Sequence, residues 1–315
     1  MIDLAKKKTF VAGGSGLLGS HCVKALVARG VPRENILSPG SREYDLRQPG
    51  QALAAVAGRQ IVFDFAGAIG GDLVTRNKIP GSVLYDNMMM GVQLIEAARV
   101  SGVEKIVTIG SIAEYPDNAP VPLREEEIWT GAVSAVNFAY GNAKRTVLAM
   151  CQAYQAQYGF DAIHLLLTNI YGPGERIENG YVMPALIRKV LTAKERGDAF
   201  IEAWGGGSAV RDFLFVDDAI EAVLRAAEVY DKPEPMNIGS GAPVSIKELL
   251  GAICVAAGFH GEIRWDHEKP EGQKTRILDT KRMESELGFH AAVPLKAGLE
   301  KTIAWHREAM SNEKH

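Results

Sequence analysis

Short apolar runs alternate with longer helical patterns through the first half of the chain. The runs are KTFVAGG, NILS, QIVFDFAG, EKIVTIGS and DAIHLLLT, and the helical patterns between them begin near Leu17, Gln51, Ser82 and Tyr140. Parallel strands need long crossover connections, so this alternation predicts βαβ units and a parallel sheet covered by helices on both faces. We therefore expect an α/β fold of the doubly wound, parallel-sheet type.

The second half of the chain differs in composition, because Gly- and Pro-rich loops such as EAWGGGSAVRD lie between its predicted helices. A chain of 315 residues is long for one domain. We predict a parallel-sheet domain over residues 1–168, to which residues 212–240 return. Residues 169–211 and 241–315 are predicted to form a smaller substrate-binding lobe at the carboxyl edge of the sheet, where open α/β folds bind ligands.

Charge and cysteine content narrow the class of partner. The formal net charge of −3 provides no broad basic field for nucleic acid or an anionic membrane. The cysteines, Cys22, Cys151 and Cys254, are scattered and lack metal-ligand spacing, so neither a disulfide framework nor a metal site is expected. Without a signal-like start or a long apolar segment, we expect a cytoplasmic protein with a small-molecule substrate.

The motif VAGGSGLLG follows the first strand and opens the first helix. Its glycines Gly13, Gly16 and Gly19 are spaced three apart, and Gly14 also satisfies the dinucleotide fingerprint. Such residues allow a tight turn and the close approach of a pyrophosphate to the helix N-terminus. The motif predicts a dinucleotide site and so a Rossmann domain over residues 1–168 with 212–240; a plain glycine-rich turn is the alternative.

The choice of nicotinamide cofactor is normally read after the second strand, where a carboxylate binds the ribose diol of NAD. Here the segment ILSPGSREYD has Ser38, Ser41 and Arg42 before its first acid, Glu43. Hydroxyls and a guanidinium suit a 2′-phosphate, so the segment favours NADP. In the alternative, Arg42 is solvated and Glu43 binds the ribose of NAD.

The segment FAYGNAKRT places Tyr140 and Lys144 four residues apart on one helical face. A phenol has an ordinary pKa of about 10, and an adjacent ammonium lowers that pKa toward a useful range for proton transfer. A hydroxyl, Ser111, ends the strand EKIVTIGS about 30 residues upstream. Alone, the Tyr–Lys pair is often a surface helix turn; with Ser111 and the glycine loop it predicts an oxidoreductase.

With these motifs, the chain resembles the extended short-chain dehydrogenase/reductases, the family of nucleotide-sugar epimerases, dehydratases and reductases. The resemblance runs nearly end to end through the glycine loop, DFAGAIGG, YDNMMMGVQLIEAARVSGV, YGNAK, LTNIYGPG, VRDFLFVDDAIEAV and MNIGSG. Within the family, GAIGG, VMPALIRKV, WGGGSAVRDFLFVDD and WDHEKPEGQ resemble segments of GDP-L-fucose synthases. The resemblance implies a homodimer built on helices near 82–101 and 140–158.

The resemblance assigns catalytic roles to Ser111, Tyr140 and Lys144. The related dehydratases have Asp and Glu directly after the serine, where this chain has Ile112 and Ala113. Those enzymes eliminate water with the acidic pair, which is absent here. Glu114 follows one residue too late, and on a strand-like segment a one-residue shift points its side chain to the other side.

Two further differences concern epimerisation. In GDP-L-fucose synthases a cysteine occupies the Ala113 position and a histidine occupies the Tyr181 position, and these two residues exchange protons at C3 and C5 of the sugar. Both are missing from this chain. The resemblance therefore implies that the residues for hydride transfer remain without those for epimerisation.

The resemblance also implies the remaining contacts. Cofactor contacts are expected from the glycine loop, the segments after the second and third strands and two helices, namely Gly13, Ser15, Gly16, Leu17, Leu18, Gly19, Ser38, Ser41, Arg42, Asp45, Leu46, Ala66, Gly67, Ala68, Asn87 and Lys144. Substrate contacts are expected from Asn169, Tyr181, Lys189, Trp204, Arg211 and Arg276. Three of these have structural alternatives: Asn169 as turn chemistry, Lys189 as a solvated charge beside Arg188, and Trp204 as core. His164 is expected to be a hydrogen-bonded core histidine.

Together these features predict an NADPH-dependent enzyme that reduces a nucleotide-activated 4-keto-6-deoxy sugar at C4. GDP is favoured by the segments shared with GDP-L-fucose synthases. Three alternatives stay open: a bifunctional epimerase-reductase that uses Tyr181 or Glu114, a C4 epimerase that retains NAD, and a non-catalytic NADP sensor. The identity of the sugar and its C4 configuration are not encoded in these motifs.

Overall fold

The structure is a computed structural model that describes residues 1–68, 78–175, 181–269 and 273–312. In chain order the helices are α1 (Leu17–Ala28), α2 (Pro49–Val56), α3 (Pro80–Val100), α4 (Phe138–Tyr158), α5 (Val182–Arg196), α6 (Val216–Val229), α7 (Ile246–Ala257), α8 (Lys281–Leu287) and α9 (Leu295–Asn312). Parts of the motifs above, at residues 69–71 and 270–272, lie outside the described residues.

The strands are β1 (Thr9–Ala12), β2 (Ile36–Leu37), β3 (Ile61–Asp64), β4 (Lys105–Ser111), β5 (Asp161–Leu167), β6 (Asn169–Tyr171), β7 (Phe200–Trp204), β8 (Val210–Arg211), β9 (Phe213–Phe215), β10 (Met236–Ile238), β11 (Val244–Ser245), β12 (Glu262–Asp266) and β13 (Thr275–Arg276). Six of them form a parallel sheet in the order β10-β5-β4-β3-β1-β2. The predicted α/β fold with a parallel sheet is confirmed.

The strands of this sheet are buried on both faces, as parallel sheets require. Successive residues point to opposite sides, so Phe10 packs toward α2, α3 and α4 while Val11 packs toward α1 and α6. The same division separates Ile106 from Val107 on the central strand β4. The helices therefore form two layers around the sheet, and its carboxyl edge is left for the connecting loops.

Three helices begin two residues earlier than predicted. Pro49 and Pro80 are the first residues of α2 and α3. Proline fits the first helical position because its missing N–H would have no partner there, so it belongs to the helix and not to the loop before it. α4 begins at Phe138, directly after a short 3-10 turn at Ala135–Asn137.

Smaller sheets lie beside the large one. They are the pairs β6-β9 and β7-β12 and the three-stranded sheet β11-β8-β13. The chain returns to the large sheet through α6, which packs on α1, and through β10, which pairs with β5. Among the described residues, no helix has the length and hydropathy needed to span a bilayer. The lobe boundaries and the cytoplasmic location stay predictions.

Candidate active site

The turn between β1 and α1 is packed so closely that its glycine positions have no room for a side chain. Gly13 has a φ of +70°, and a Cβ there would lie 2.7 Å from the Phe65 carbonyl oxygen. A Cβ on Gly19 would lie 2.6 Å from the Gly14 Cα. The N-cap of α1, Gly16, has no side-chain cap for the first N–H groups of the helix. The turn therefore fits a pyrophosphate bound by backbone N–H groups at a helix N-terminus.

A cleft of about 430 Å³ opens beside this turn. Nine of the predicted cofactor residues line it, namely Gly13, Ser15, Gly16, Ser41, Asp45, Leu46, Ala66, Gly67 and Ala68. Asn87 is not part of this lining but holds Ala68 in place by two hydrogen bonds. Its amide nitrogen donates to Ala68 O at 2.8 Å, and its side-chain oxygen accepts from Ala68 N at 3.0 Å. The cleft is a suitable size and shape for a dinucleotide, with Asn87 fixing one of its walls.

The structure separates the predicted 2′-phosphate residues. Ser41 lines the cleft, whereas the Ser38 hydroxyl lies against Gly14 and Arg42 is exposed outside the lining. Glu43 accepts from the N–H of Gly40 at 2.9 Å. Glu43 thus caps its own turn, and its role at the ribose stays an alternative.

Sequence reasoning missed Arg47, the cation that does line the cleft. Its guanidinium forms two hydrogen bonds of 2.8 Å to Asp45 and one of 2.9 Å to Asp86. These two carboxylates raise the pKa of Arg47. The only sequence signal was its place two residues after Asp45, since Asp86 joins the cluster from α3.

Ser111 ends β4 and caps a one-turn 3-10 helix, Ile112–Glu114. Its Oγ accepts a hydrogen bond of 3.2 Å from the N–H of Ala113. Because that bond uses a lone pair, the Ser111 O–H proton is left to donate to another group. The side chain is half-buried at the carboxyl end of the central strand.

Tyr140 and Lys144 lie on the first turns of α4. The Lys144 Nζ is 6.0 Å from the centroid of the Tyr140 ring, and Lys144 is only 5% exposed. This part of α4 packs against the loop after Ser111, where a Cβ on Gly141 would lie 2.6 Å from Ala113 O. Burial raises the pKa of Asp64, and the nearby Lys144 ammonium opposes that rise. The fold thus brings the predicted serine, tyrosine and lysine to one end of β4.

Glu114 and His164 are turned into the core behind Ser111. Glu114 is 0% exposed and accepts from the Ser111 N–H at 2.7 Å. The predicted orientation of Glu114, away from the site, agrees with this geometry. His164 is buried and hydrogen-bonded as expected, between Glu114 and Thr108.

Two arginines, Arg211 half-buried and Arg276 buried, lie side by side in the small sheet. Arg211 on β8 and Arg276 on β13 are register partners, and Arg276 is 9% exposed. Arg276 donates to Gln273 Oε1 at 2.8 Å and to the carbonyl oxygen of Ile112. Burial lowers the pKa of both arginines, and the charge of Arg211 further lowers that of Arg276. Neither forms an ion pair with a described carboxylate, so the two cations suit an anionic ligand.

The other predicted substrate residues have mixed surroundings. The Asn169 amide donates to Asp212 O at 2.9 Å, so it also joins β6 to β9. Lys189 is exposed and donates to Glu202 O at 2.6 Å, and Arg188 is exposed beside it. Tyr181, before α5, is 39% exposed.

Trp204 is 64% exposed, which makes its structural alternative, a core tryptophan, wrong. The reason is the alternation along β7, where Phe200, Glu202 and Trp204 point outward while the residues between them are buried. An exposed indole at the end of this strand leaves a flat apolar surface for a ligand.

Comparisons with known proteins agree with this geometry. The NAD dependent epimerase/dehydratase family matches residues 9–239. The GDP-L-fucose synthase 1 of Arabidopsis thaliana is 34% identical to this chain over 308 residues, covering 97% of this chain and 94% of that protein.

Two solved structures from Campylobacter jejuni are also similar. A GDP-6-OMe-4-keto-L-xylo-heptose reductase has 26% identity and a TM-score of 0.89, covering 97% of this chain and 99% of that chain. A GDP-mannoheptose C4 reductase with NADP bound has 27% identity and a TM-score of 0.86, covering 96% of this chain and 99% of that chain.

Proposed function

Because the chain belongs to the NAD dependent epimerase/dehydratase family and is an NADP-dependent oxidoreductase of nucleotide sugars, we propose that it reduces a GDP-linked 4-keto-6-deoxy sugar at C4 without epimerising C3 or C5. GDP-sugar reductases are among its structural relatives. The observation that carries the proposal is the set of ionisable groups around Ser111. Tyr140 and Lys144 are present, while Ala113 has no exchangeable proton and Glu114 is fully buried.

In the proposed reaction, the hydroxyls of Ser111 and Tyr140 have different roles. When bound, NADPH supplies the hydride for C4. Ser111 donates its O–H to the sugar carbonyl oxygen, since its lone pair already accepts from Ala113. Tyr140 then donates a proton to the developing alkoxide, and the Lys144 ammonium on the same helix face favours the phenolate left behind.

The cofactor is proposed to lie along the cleft. The N–H groups around Gly13 and Gly16 bind its pyrophosphate, and Asp45, Leu46 and Ala66 border its adenosine half. Ser41, with Ser38 and Arg42 beside it, is the proposed 2′-phosphate site. Lys144 is the proposed contact to the nicotinamide ribose.

The substrate is proposed to lie on the smaller lobe. Arg211 and Arg276 offer two adjacent cations to the diphosphate, and the exposed Trp204 offers a surface to the base. Asn169, Tyr181 and Lys189 are the remaining proposed contacts. An Arg pair can bind a diphosphate strongly because each guanidinium presents a fork of donors that matches phosphate oxygens.

A homodimer is proposed through α3 and α4, which pack against each other. Their surface exposes Tyr85 at 54%, Val100 at 50% and Tyr158 at 48%. Light scattering of the purified protein measures the mass directly. A monomer at micromolar concentration would contradict this part of the proposal.

The reduction is tested by NMR of product formed in D₂O with unlabelled NADPH. Epimerisation beside the ketone removes a carbon-bound proton and returns one from another residue, so it would leave deuterium at C3 or C5. We expect one NADPH oxidised per product and no deuterium at either carbon beyond an enzyme-free control. Stoichiometric deuterium would identify an epimerase-reductase. Copurified NAD with no net NADPH oxidation would identify a C4 epimerase.

A further inference from the structure

A buried acid–imidazole pair lies directly behind Ser111. His164 Nε2 is 3.3 Å from Glu114 Oε1 and 3.2 Å from Oε2, and both side chains are at most 2% exposed. On its other side, His164 Nδ1 is 2.8 Å from the Thr108 hydroxyl oxygen. The three side chains thus form a chain from Thr108 on β4 through His164 on β5 to Glu114 in the turn after Ser111.

The direction of these hydrogen bonds follows from counting protons. Thr108 donates its single hydroxyl proton to Ile163 O at 3.0 Å, so its oxygen accepts from Nδ1–H of His164. His164 Nε2 faces only carboxylate oxygens, and a bare lone pair opposite a buried anion would be strongly unfavourable. One proton therefore lies between Glu114 and Nε2, and the pair as a whole carries no net charge.

Glu114 connects this pair to the proposed catalytic serine. Its Oε1 accepts from the Ser111 N–H at 2.7 Å, while the Ser111 Oγ accepts from Ala113 N. Arg145 on α4 holds the same turn, because its Nε donates to Glu114 O at 2.7 Å. The backbone of Ser111 is thus fixed from the core side and the turn is fixed from the helix that bears Tyr140.

Gly110 makes room for the pair. A Cβ at this position would collide with His164 Nε2 and Glu114 Oε1, and would lie 2.9 Å from Leu166 Cδ2. The close packing means that the pair cannot shift toward β4 and Ser111 cannot shift into the core. Burial raises the pKa of Asp64, while the nearby Lys144 and His164 lower it.

We infer that Glu114 and His164 are positioning residues that fix the Ser111 hydroxyl for carbonyl polarisation, an inference that rests on the proposed reduction at C4. Neither side chain reaches the substrate, since both are buried. Their role is to hold the Ser111 backbone so that its O–H points out of the sheet edge. A misplacement of about 1 Å in such a group can cost about 100-fold in rate.

Two substitutions at Glu114 test the inference. In Glu114→Gln the amide oxygen can accept from Ser111 N–H and the amide NH₂ can donate to His164 Nε2, so kcat should stay within about threefold of wild type. In Glu114→Leu both bonds are lost, and kcat should fall by about 10- to 100-fold with the KM of both substrates changed by less than about threefold. The double variant Glu114→Leu/His164→Leu leaves no orphaned histidine and should show the same loss of kcat.

A third variant moves the pair without removing a polar group. Gly110→Ala should lower kcat by about tenfold or more, because the new methyl group displaces both side chains. Gly251→Ala in α7 is the matched control, since a Cβ there meets no heavy atom within 4 Å. It should leave kcat unchanged.

Hydrogen exchange of the Ser111 amide provides a readout without turnover. We expect the amide to be protected in wild type and Glu114→Gln and to exchange at least tenfold faster in Glu114→Leu. Equal exchange rates, or a Glu114→Leu enzyme with full kcat, would overturn the inference. If wild type turns over no 4-keto sugar nucleotide, the proposed function fails, while the exchange result still decides whether Glu114 fixes Ser111.

Discussion

The two proposed binding surfaces, called here the cofactor wall and the substrate wall, are built in different ways. The cofactor wall, Gly13–Gly19 with Ala66–Ala68, is mostly backbone packed against backbone, and its shape depends on the absence of side chains. The substrate wall, formed by Arg211, Arg276 and Trp204, offers long side chains from separate strands of small sheets. A wall made of backbone is specified by a few local residues, whereas a wall made of side chains depends on distant parts of the chain meeting in the fold.

The largest effect is expected at the proposed proton donor, which belongs to neither wall. Tyr140→Phe should lower kcat by about 1000-fold or more, because it removes the proton donor but not a cofactor contact. The Kd for NADPH should stay within about threefold, as measured by the fluorescence of the bound cofactor. Tyr158→Phe, at the exposed end of the same helix, is the control and should keep wild-type kcat. Near-normal turnover by Tyr140→Phe would remove Tyr140 from the mechanism.

Removing a positive charge from the substrate wall should change the kinetic parameters for the sugar nucleotide. Arg276→Ala should lower kcat/KM by about 100-fold, because it removes a charged donor to the diphosphate and the hydrogen bond to Ile112 O beside Ser111. Arg211→Ala should raise KM with little change in kcat, since the Arg211 guanidinium donates to Val210 O on its own strand. Steady-state rates over a range of sugar nucleotide separate the two variants, and NADPH affinity should change in neither.

If both arginine variants changed KM alone, Arg276 would act on the substrate only and not on the turn after Ser111. Arg264→Ala is a suitable control because Arg264 is exposed and its partners are Glu262 and the Phe200 ring. It should leave both kinetic parameters unchanged.

Adding a side chain to the cofactor wall should weaken cofactor binding. Gly19→Ala should weaken NADPH binding by about tenfold, because its Cβ would lie 2.6 Å from the Gly14 Cα and force the turn open. Titration of cofactor fluorescence measures the effect, and Gly251→Ala is again the control. A change of less than twofold in the Kd for NADPH would mean that the turn accommodates the added methyl group. That result would contradict the difference drawn between the two walls.

The smallest effect is expected at the rim of the cofactor wall. Arg42→Ala should weaken NADPH about three- to tenfold and NADH less than twofold, because only NADPH has a 2′-phosphate and Arg42 is exposed to screening solvent. The ratio of the two Kd values gives the result. Equal losses of affinity for the two cofactors would mean that Arg42 does not bind the 2′-phosphate. Ser41 and Ser38 would then be the phosphate contacts.

The contrast between the walls also explains what the sequence could predict. The glycine loop, the strand that ends at Ser111 and the Tyr140–Lys144 spacing are local patterns, and each leads directly to an element that the structure contains. Their convergence at one sheet edge follows from the parallel fold, in which all carboxyl ends of strands point the same way.

Contacts between distant segments could not be obtained in this way. The Arg47 cluster needs Asp86 from α3, and the Arg211–Arg276 pair needs two short strands whose register no periodicity specifies. The exposure of Trp204 depends on which face of β7 is covered, and β7 pairs with β12 only after the chain has passed through β10. Prolines at the first positions of α2 and α3 were likewise ambiguous between helix and loop.

β10 pairs with β5 although it lies far later in the chain, and this order affects the protein while it is being synthesised. On the ribosome, β1 to β5 emerge well before Met236–Ile238, and α1 emerges long before its packing partner α6. During that interval β5 presents an unpaired edge and α1 an uncovered apolar face, both of which favour aggregation. An N-terminal fragment that stops before residue 238 is therefore expected to be insoluble, however complete its glycine loop. The nascent chain needs rapid completion or a chaperone at a stage when every proposed catalytic side chain has already been made.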